Sequence, residues 1–107
     1  MAQPAIDENY DMRRAARHRA SYDVLADSKK HGEQKLHIAN ISAHGFMIDN
    51  NKVFEHGDRI ELRLPVIGRI EAHLIWSVDG RAGFQFERVV RLPDFMALID
   101  VVGPKNR

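Results

Sequence analysis

No cysteine occurs among the 107 residues, so a disulfide framework and a thiolate metal site are both excluded. The same absence is compatible with a reducing compartment. No stretch approaches the roughly 20 apolar residues that a membrane-spanning helix requires. Residues 1–6 have no apolar core of signal-peptide length either. We therefore expect a cytoplasmic protein without a membrane span.

The chain also lacks a strong excess of either charge. Sixteen basic and 15 acidic residues leave a formal net charge of +1, whereas a general nucleic-acid binder usually carries a large positive excess. Its six histidines show no compact ligand spacing, so we expect no metal and no cofactor. Ser42 and His44 could be imagined as nucleophile and base, but no glycine elbow surrounds them. We therefore expect no enzymatic activity.

The length of 107 residues and the mass of 12.3 kDa suit one domain with one core. Residues 1–11 combine Pro4 and three acids with few apolar groups, a composition typical of a flexible tail. We therefore divide the chain into a flexible tail over residues 1–11 and a single domain over residues 12–107.

Alternating hydrophobicity predicts a β-rich fold for most of that domain. Residues 60–64 alternate between apolar and charged side chains, as a half-buried strand does. Asp79-Gly80 is a two-residue hairpin signal, and Trp76 falls on the predicted apolar face of the strand before it. Six strands in a closed antiparallel barrel or sandwich are expected, and Pro93 and Asp94 should begin a short C-terminal helix. Gly83 interrupts the last strand, which indicates a bulge or a gap where a flat base could lie.

Residues 12–19, the arginine segment, contain four arginines and no acid. Arg13 and Arg17 are four positions apart. A guanidinium is planar and offers five donors, so it can bond the O6/N7 edge of guanine, bond a phosphate or stack on a base. A basic run of this kind, taken alone, is equally typical of a solvated tail.

A second polar pattern, Asn40-x-Ser42-x-x-Gly45, follows a predicted strand. Asn40 and Ser42 are two positions apart, so on a strand they would share one face. Their amide and hydroxyl groups could read a base edge and a sugar or phosphate. Gly45 would permit a positive φ and a close backbone approach. Alone, this pattern is also typical of a capped turn.

The two patterns in this order resemble those of PilZ domains, the bacterial receptor modules for cyclic di-GMP. The resemblance implies a six-stranded antiparallel β-barrel with a helix beside it. It also implies that Arg13 and Arg17 contact guanine or phosphate and that Asn40, Ser42 and Gly45 form the facing wall. Arg14 lies outside the motif positions and could add a phosphate contact. Asn40 stands where the family often has Asp, so it keeps the acceptor but lacks the negative charge.

The function implied by the resemblance is a non-catalytic cyclic di-GMP receptor that acts through an unidentified protein partner in motility, biofilm or polysaccharide control. The arginine segment would become ordered over the ligand. One alternative is a PilZ-fold adaptor that has lost nucleotide binding. Another is a small barrel that binds single-stranded nucleic acid, which would require several outward aromatics. Phe84, Phe86 and Trp76 are all predicted on apolar faces, which counts against that alternative.

Overall fold

A computed structural model describes residues 16–104. The described residues form six strands, β1 (His18–Ser28), β2 (Gly32–Ile41), β3 (Gly45–Ile48), β4 (Arg59–Leu64), β5 (Gly68–Val78) and β6 (Arg81–Phe86), and one helix, α1 (Leu92–Val102). The strands close into a barrel in the order β1-β2-β3-β6-β5-β4. Every neighbouring pair is antiparallel. The predicted six-stranded antiparallel barrel with a C-terminal helix is confirmed.

The inward side chains of the strands form the core of the barrel. Phe46 and Phe84 stack at its centre with ring centroids 5.1 Å apart, and both rings are buried. The buried residues of α1 are Phe95, Leu98 and Val102. Phe95 meets the ring of His18 edge-on, with centroids 5.4 Å apart, so α1 packs beside the beginning of β1. No helix within residues 16–104 is long and apolar enough to cross a membrane.

Tight turns join β1 to β2, β4 to β5 and β5 to β6. Asp79 and Gly80 connect β5 to β6 with positive φ values of 51° and 83°, as the Asp-Gly signal predicts. Gly32, the first residue of β2, adopts a φ of 73° at the turn from β1. Val66 adopts a φ of 70° between β4 and β5, an unusual conformation for a β-branched residue.

Three of the strands contain an irregularity that changes which residues pair. The register shifts lie between Arg19 and Tyr22 in β1, between Ile38 and Asn40 in β2, and between Leu74 and Trp76 in β5. A β-bulge places two residues of one strand opposite one residue of its neighbour and can re-aim a side chain. Simple period-two alternation therefore fails at these three places.

The prediction that Trp76 belongs to the core is wrong. Leu74 pairs with Phe84, but the next pair is Trp76 with Gly83, so Ile75 and Trp76 together face Gly83. The extra residue turns the indole to the outside of the barrel, where 36% of Trp76 is exposed. Strand β6 runs through Gly83 without a bulge, and the extra residue lies on the neighbouring strand β5.

The beginning of the domain is only partly described. The boundary predicted between residues 11 and 12 lies outside residues 16–104 and remains a prediction. His18 and Arg19 already belong to β1, so the end of the arginine segment, which we expected to be mobile without ligand, is part of the sheet.

Candidate ligand-binding site

A continuous line of cross-strand partners runs over the outside of the barrel. We call it the outer row; its members are Arg19, Asn40, Met47, Gly83 and Trp76. Each neighbours the next in register, through β1, β2, β3, β6 and β5 in turn. Because adjacent strands lie about 4.8 Å apart, the backbone of the row spans about 20 Å. All three bulges border this row.

The first end of the outer row joins the two sequence motifs. Arg17 Nη1 donates a hydrogen bond of 2.8 Å to Asn40 Oδ1, although the residues are 23 positions apart. The contact follows from the antiparallel pairing of β1 and β2, because Arg19 is the partner of Asn40. The structure therefore brings Arg17 and Asn40 together, and their contact with a ligand remains a prediction. Arg13 and Arg14 lie outside the described residues, and their roles remain predictions.

The amide of Asn40 retains bonding capacity on its other side. Asn40 Nδ2 donates to Met47 Sδ over 3.6 Å, and a thioether sulfur is a weak acceptor. A carbonyl or phosphate oxygen of a ligand could replace that sulfur at little cost. Asn40 is half-buried, so its amide is accessible from the outside of the barrel while the strand holds its backbone.

Ser42 lies apart from this surface. Strand β2 ends at Ile41, and Ser42 begins the motif turn, residues 42–45. Only 4% of Ser42 is exposed, and its Oγ accepts a 3.1 Å hydrogen bond from the backbone N–H of His44. The prediction of a surface hydroxyl on the same strand face as Asn40 is wrong. The same bond shows Ser42 paired with the His44 backbone rather than with its imidazole.

Gly45 ends the motif turn, and the neighbouring strand β6 explains why a glycine is needed there. Its φ is not in the left-handed region, so the expected positive φ is wrong. A Cβ at this position would overlap the carbonyl oxygen of Phe84 and lie 3.0 Å from Gln85 Cα. The close backbone approach that the glycine permits is therefore the pairing of β3 with β6.

The second end of the outer row contains Trp76, which the sequence pattern placed in the core. A Cβ on Gly83 would overlap the indole of Trp76 and lie 2.7 Å from its Cδ1. The indole thus lies against Gly83, in the space that a side chain would otherwise occupy. A glycine at an outward position inside a strand is the one sequence signal that indicates such a close approach.

Two cationic residues lie in a segment that packs against the motif turn. The backbone N–H of Val90 donates to the carbonyl of Ala43 over 2.9 Å, so the segment between β6 and α1 runs along this turn. Arg88 and Arg91 belong to that segment and are exposed. This end of the barrel therefore combines several arginines with a half-buried amide, which suits an anionic ligand.

A further polar network lies on the outside of β1 and β2. Ser21 Oγ is 3.2 Å from His37 Nε2, and His37 Nδ1 is 2.9 Å from Asp49 Oδ1. The order of groups is that of a hydrolytic triad, but Ser21 lies within a strand and not on a sharp turn that presents a nucleophile. We interpret the network as a link between β1, β2 and the end of β3. In residues 16–104 no cluster of His, Asp and Glu could hold a metal ion.

The comparisons with known proteins agree with this architecture. The family model of the PilZ domain matches residues 11–102. The chain therefore belongs to the PilZ family, a family of cyclic di-GMP receptors. A similar solved structure is the crystal structure of the PilZ domain of CeSA from a cellulose-synthesizing bacterium, with 16% identity and a TM-score of 0.57 over 81% of this chain and 94% of that chain. At that identity the similarity concerns the fold alone. No curated protein matched.

Proposed function

We propose that this PilZ domain binds cyclic di-GMP on the outer row and that Arg17 and Asn40 make its first contacts. The observation that carries the proposal is the 2.8 Å hydrogen bond between these two side chains. It joins two motifs that are distant in sequence, which neither a solvated tail nor an isolated capped turn would require. The proposed role is that of a receptor without catalytic activity.

The chemistry of the pair suits a guanine nucleotide. Arg17 uses one of its five guanidinium donors on Asn40, which leaves donors for the O6/N7 edge of guanine or for a phosphate. Asn40 can offer its amide N–H groups to the same ligand after leaving the Met47 sulfur. Its carbonyl already accepts from Arg17, so the two side chains orient one another before the ligand arrives.

Other motif residues take different parts in the proposal. Arg13 and Arg14 would lie over the bound nucleotide with the rest of the arginine segment. Ser42 and Gly45 would act by holding the motif turn, because Ser42 is buried and Gly45 lies against β6.

The bound state would act through a protein partner, in motility, biofilm or polysaccharide control. Ordering of the part of the arginine segment that precedes β1 over the ligand would create a new surface on the protein. We place such a receptor in the cytoplasm, a location with which the absence of cysteine is compatible. Amide exchange tests the ordering step: protection at residues 13–17 should rise on ligand addition, and equal protection with and without ligand would contradict it.

Calorimetry with cyclic di-GMP, GMP and a single-stranded oligonucleotide tests the function itself. We expect micromolar affinity for cyclic di-GMP, about −8 kcal/mol, and weaker binding of the other two. Asn40→Ala should lose about 1–3 kcal/mol. Arg17→Lys should lose most of the affinity, because lysine keeps the charge but not the planar fork. Arg63→Lys, at an exposed position on β4, is the matched control.

The same titrations separate the alternatives. An adaptor that has lost nucleotide binding would give no heat with any of the three ligands. A single-stranded nucleic-acid binder would prefer the oligonucleotide to cyclic di-GMP. Unchanged binding by Arg17→Lys would mean that charge alone attracts the ligand.

A further inference from the structure

We infer that the turn between β4 and β5 docks on an anionic lipid surface. We call this turn, residues 65–67, the apolar tip; it consists of Pro65, Val66 and Ile67. Three features carry the inference: an exposed valine in a strained backbone conformation, a turn that holds this valine in place, and two exposed arginines beside it. Nucleotide binding elsewhere on the barrel is not required for this role.

Val66 is an exposed apolar residue in a backbone conformation that favours glycine. Its φ is 70°, and 55% of the residue is exposed. A β-branched residue rarely adopts a positive φ, and strain of this kind clusters at functional positions. A glycine would fit the backbone better but would present no apolar group. The turn alone therefore gives no reason for a valine, whereas burial of its side chain against a second surface does.

The neighbours of Val66 hold the apolar tip in one conformation. The backbone N–H of Ile67 donates to the carbonyl of Pro65 over 2.7 Å, which closes a three-residue turn around Val66. Ile67 is half-buried and packs against the core. Leu64 and Gly68 pair across the base of the turn. Because its backbone is already fixed on both sides, Val66 loses little conformational freedom when it enters a second surface.

Two arginines lie directly behind the apolar tip. Arg63 on β4 and Arg69 on β5 are cross-strand partners, and both are exposed. Like charges directly opposite each other on a sheet are destabilising. Arg69 Nη1 lies 3.8 Å from Glu61 Oε1, which is longer than a hydrogen bond. A surface rich in phosphate groups would bond both guanidinium groups and offset their mutual repulsion.

The spacing of these groups matches the layers of a lipid surface. Val66 is three positions from Arg63 and from Arg69, so it lies up to about 10 Å farther along the hairpin. Apolar groups of interfacial proteins enter about 5–10 Å into the boundary between headgroups and acyl chains. Val66 can therefore reach that boundary while both guanidinium groups stay at the lipid phosphates. A hairpin turn is convex, so it suits a soft surface that closes around it better than a flat protein surface.

The apolar tip and the candidate ligand site can be occupied together. Asn40 lies on β2, and β1 separates β2 from β4 in the barrel, so docking at the apolar tip leaves the Arg17–Asn40 contact accessible. Because β1 and β4 are antiparallel, β1 begins at the same end of the barrel where β4 ends. The arginine segment therefore adds electrostatic attraction to the same lipid surface, and the test must separate this attraction from insertion of Val66.

Cysteine labelling tests insertion directly, because the chain has no cysteine of its own. A Val66→Cys variant that carries a polarity-sensitive fluorophore should gain intensity and shift to the blue with vesicles of equal parts phosphatidylglycerol and phosphatidylcholine. Vesicles of phosphatidylcholine alone should produce a much smaller change. The matched control is Val78→Cys, because Val78 is also an exposed valine but ends β5 at the opposite end of the barrel. Its fluorophore should not respond.

Co-sedimentation of unlabelled variants with the anionic vesicles gives the second readout. Val66→Gly should keep the fold, because glycine accepts a positive φ, and should weaken binding about 5- to 10-fold, the effect of losing the burial of about half a valine side chain. Arg63→Gln and Arg69→Gln should each weaken binding about 5-fold. Val78→Gly and Arg59→Gln, at exposed positions near the other end of the barrel, are the matched controls. Circular dichroism establishes that each variant is folded.

Two results would overturn the docking role of the apolar tip. The first is binding to anionic vesicles with no change in the fluorophore at position 66 and equal binding by Val66→Gly, because charge alone would then attract the lipid. The second is no binding of the wild type to anionic vesicles, which would leave a protein as the partner of the apolar tip. Calorimetry separates this role from the receptor function: Val66→Gly should bind cyclic di-GMP as the wild type does. A wild type that binds the vesicles but not the nucleotide would overturn the receptor function alone.

Discussion

Replacing Gly45 with alanine should damage the fold, although Gly45 belongs to the ligand-binding motif of the family. The new methyl group would overlap the carbonyl oxygen of Phe84 and lie 3.0 Å from Gln85 Cα. Both obstacles are backbone atoms of β6, so no side-chain rotation can relieve them. Strand β3 has only four residues and begins at Gly45, so its first pair with β6 would have to move apart.

The size of the effect follows from two opposing terms. Forcing extra volume into a packed site costs about 1–3 kcal/mol, and a clash with a fixed backbone belongs at the upper end of that range. Alanine restricts the unfolded chain more than glycine does, which returns about 0.4–1 kcal/mol. The net loss is about 2 kcal/mol. For a domain of this size it corresponds to a fall in Tm of about 8–16 °C.

Thermal unfolding followed by circular dichroism measures this fall, and urea unfolding gives the free energy directly. His44→Ala is the matched control, because His44 is the exposed neighbour of Gly45 and its truncation should change stability by no more than about 0.5 kcal/mol. Binding should be measured well below both melting temperatures. One result would contradict this account. If Gly45→Ala melted within about 2 °C of the wild type and yet lost cyclic di-GMP binding, Gly45 would contact the ligand directly.

Three further changes test other parts of the structure. Ser42→Ala should cost about 1 kcal/mol in urea unfolding, because a backbone N–H in the motif turn loses its acceptor; an unchanged midpoint would contradict that role. Asn40→Asp should preserve or improve cyclic di-GMP binding in calorimetry, since a carboxylate can accept from Arg17 and from guanine; lost binding at an unchanged Tm would place a phosphate there. The pKa of Asp58 is lowered chiefly by the hydrogen bond from the Glu55 amide, so its ionised form stabilises the fold above the unfolded-state pKa of about 3.9. This contribution is lost as the pH falls from the unfolded-state pKa through the lower folded-state pKa. In urea unfolding at pH 2–7, the difference in stability between the wild type and Asp58→Asn should therefore shrink as the pH falls. A difference that stayed constant with pH would contradict this role of Asp58.

Local sequence signals were sufficient for the barrel. The alternation over residues 60–64 predicted a strand that the structure contains as β4. The Asp79-Gly80 pair predicted the turn of the β5–β6 hairpin. The meeting of Arg17 and Asn40 was also predictable, because an antiparallel hairpin brings the beginning of its first strand beside the end of its second. These features depend on periodicity and on neighbours in sequence, which the chain displays directly.

The remaining features of the site depend on contacts between distant strands. Gly45 is required by the backbone of Phe84, and Gly83 is required by the ring of Trp76. The residues next to each glycine in the sequence do not indicate either of these partners. The prediction that Ser42 shares a face with Asn40 requires β2 to continue past Ile41, but β2 ends at Ile41. A rule with a fixed period cannot anticipate where a strand stops or gains a residue.

The bulges explain how one barrel can carry both a regular core and a specialised outer row. In β5 the inward pair of Leu74 and Phe84 precedes the bulge, and the pairing of Ser77 with buried Ala82 follows it. The extra residue is absorbed between these two pairs, so the core register continues on both sides while Trp76 is turned outward. In β2 the pair of Ile38 with Ile48 and that of Ile41 with Phe46 enclose Asn40 in the same way. The residues that we assign to the ligand thus stand where an added residue changes the outside of the barrel and leaves its packing intact.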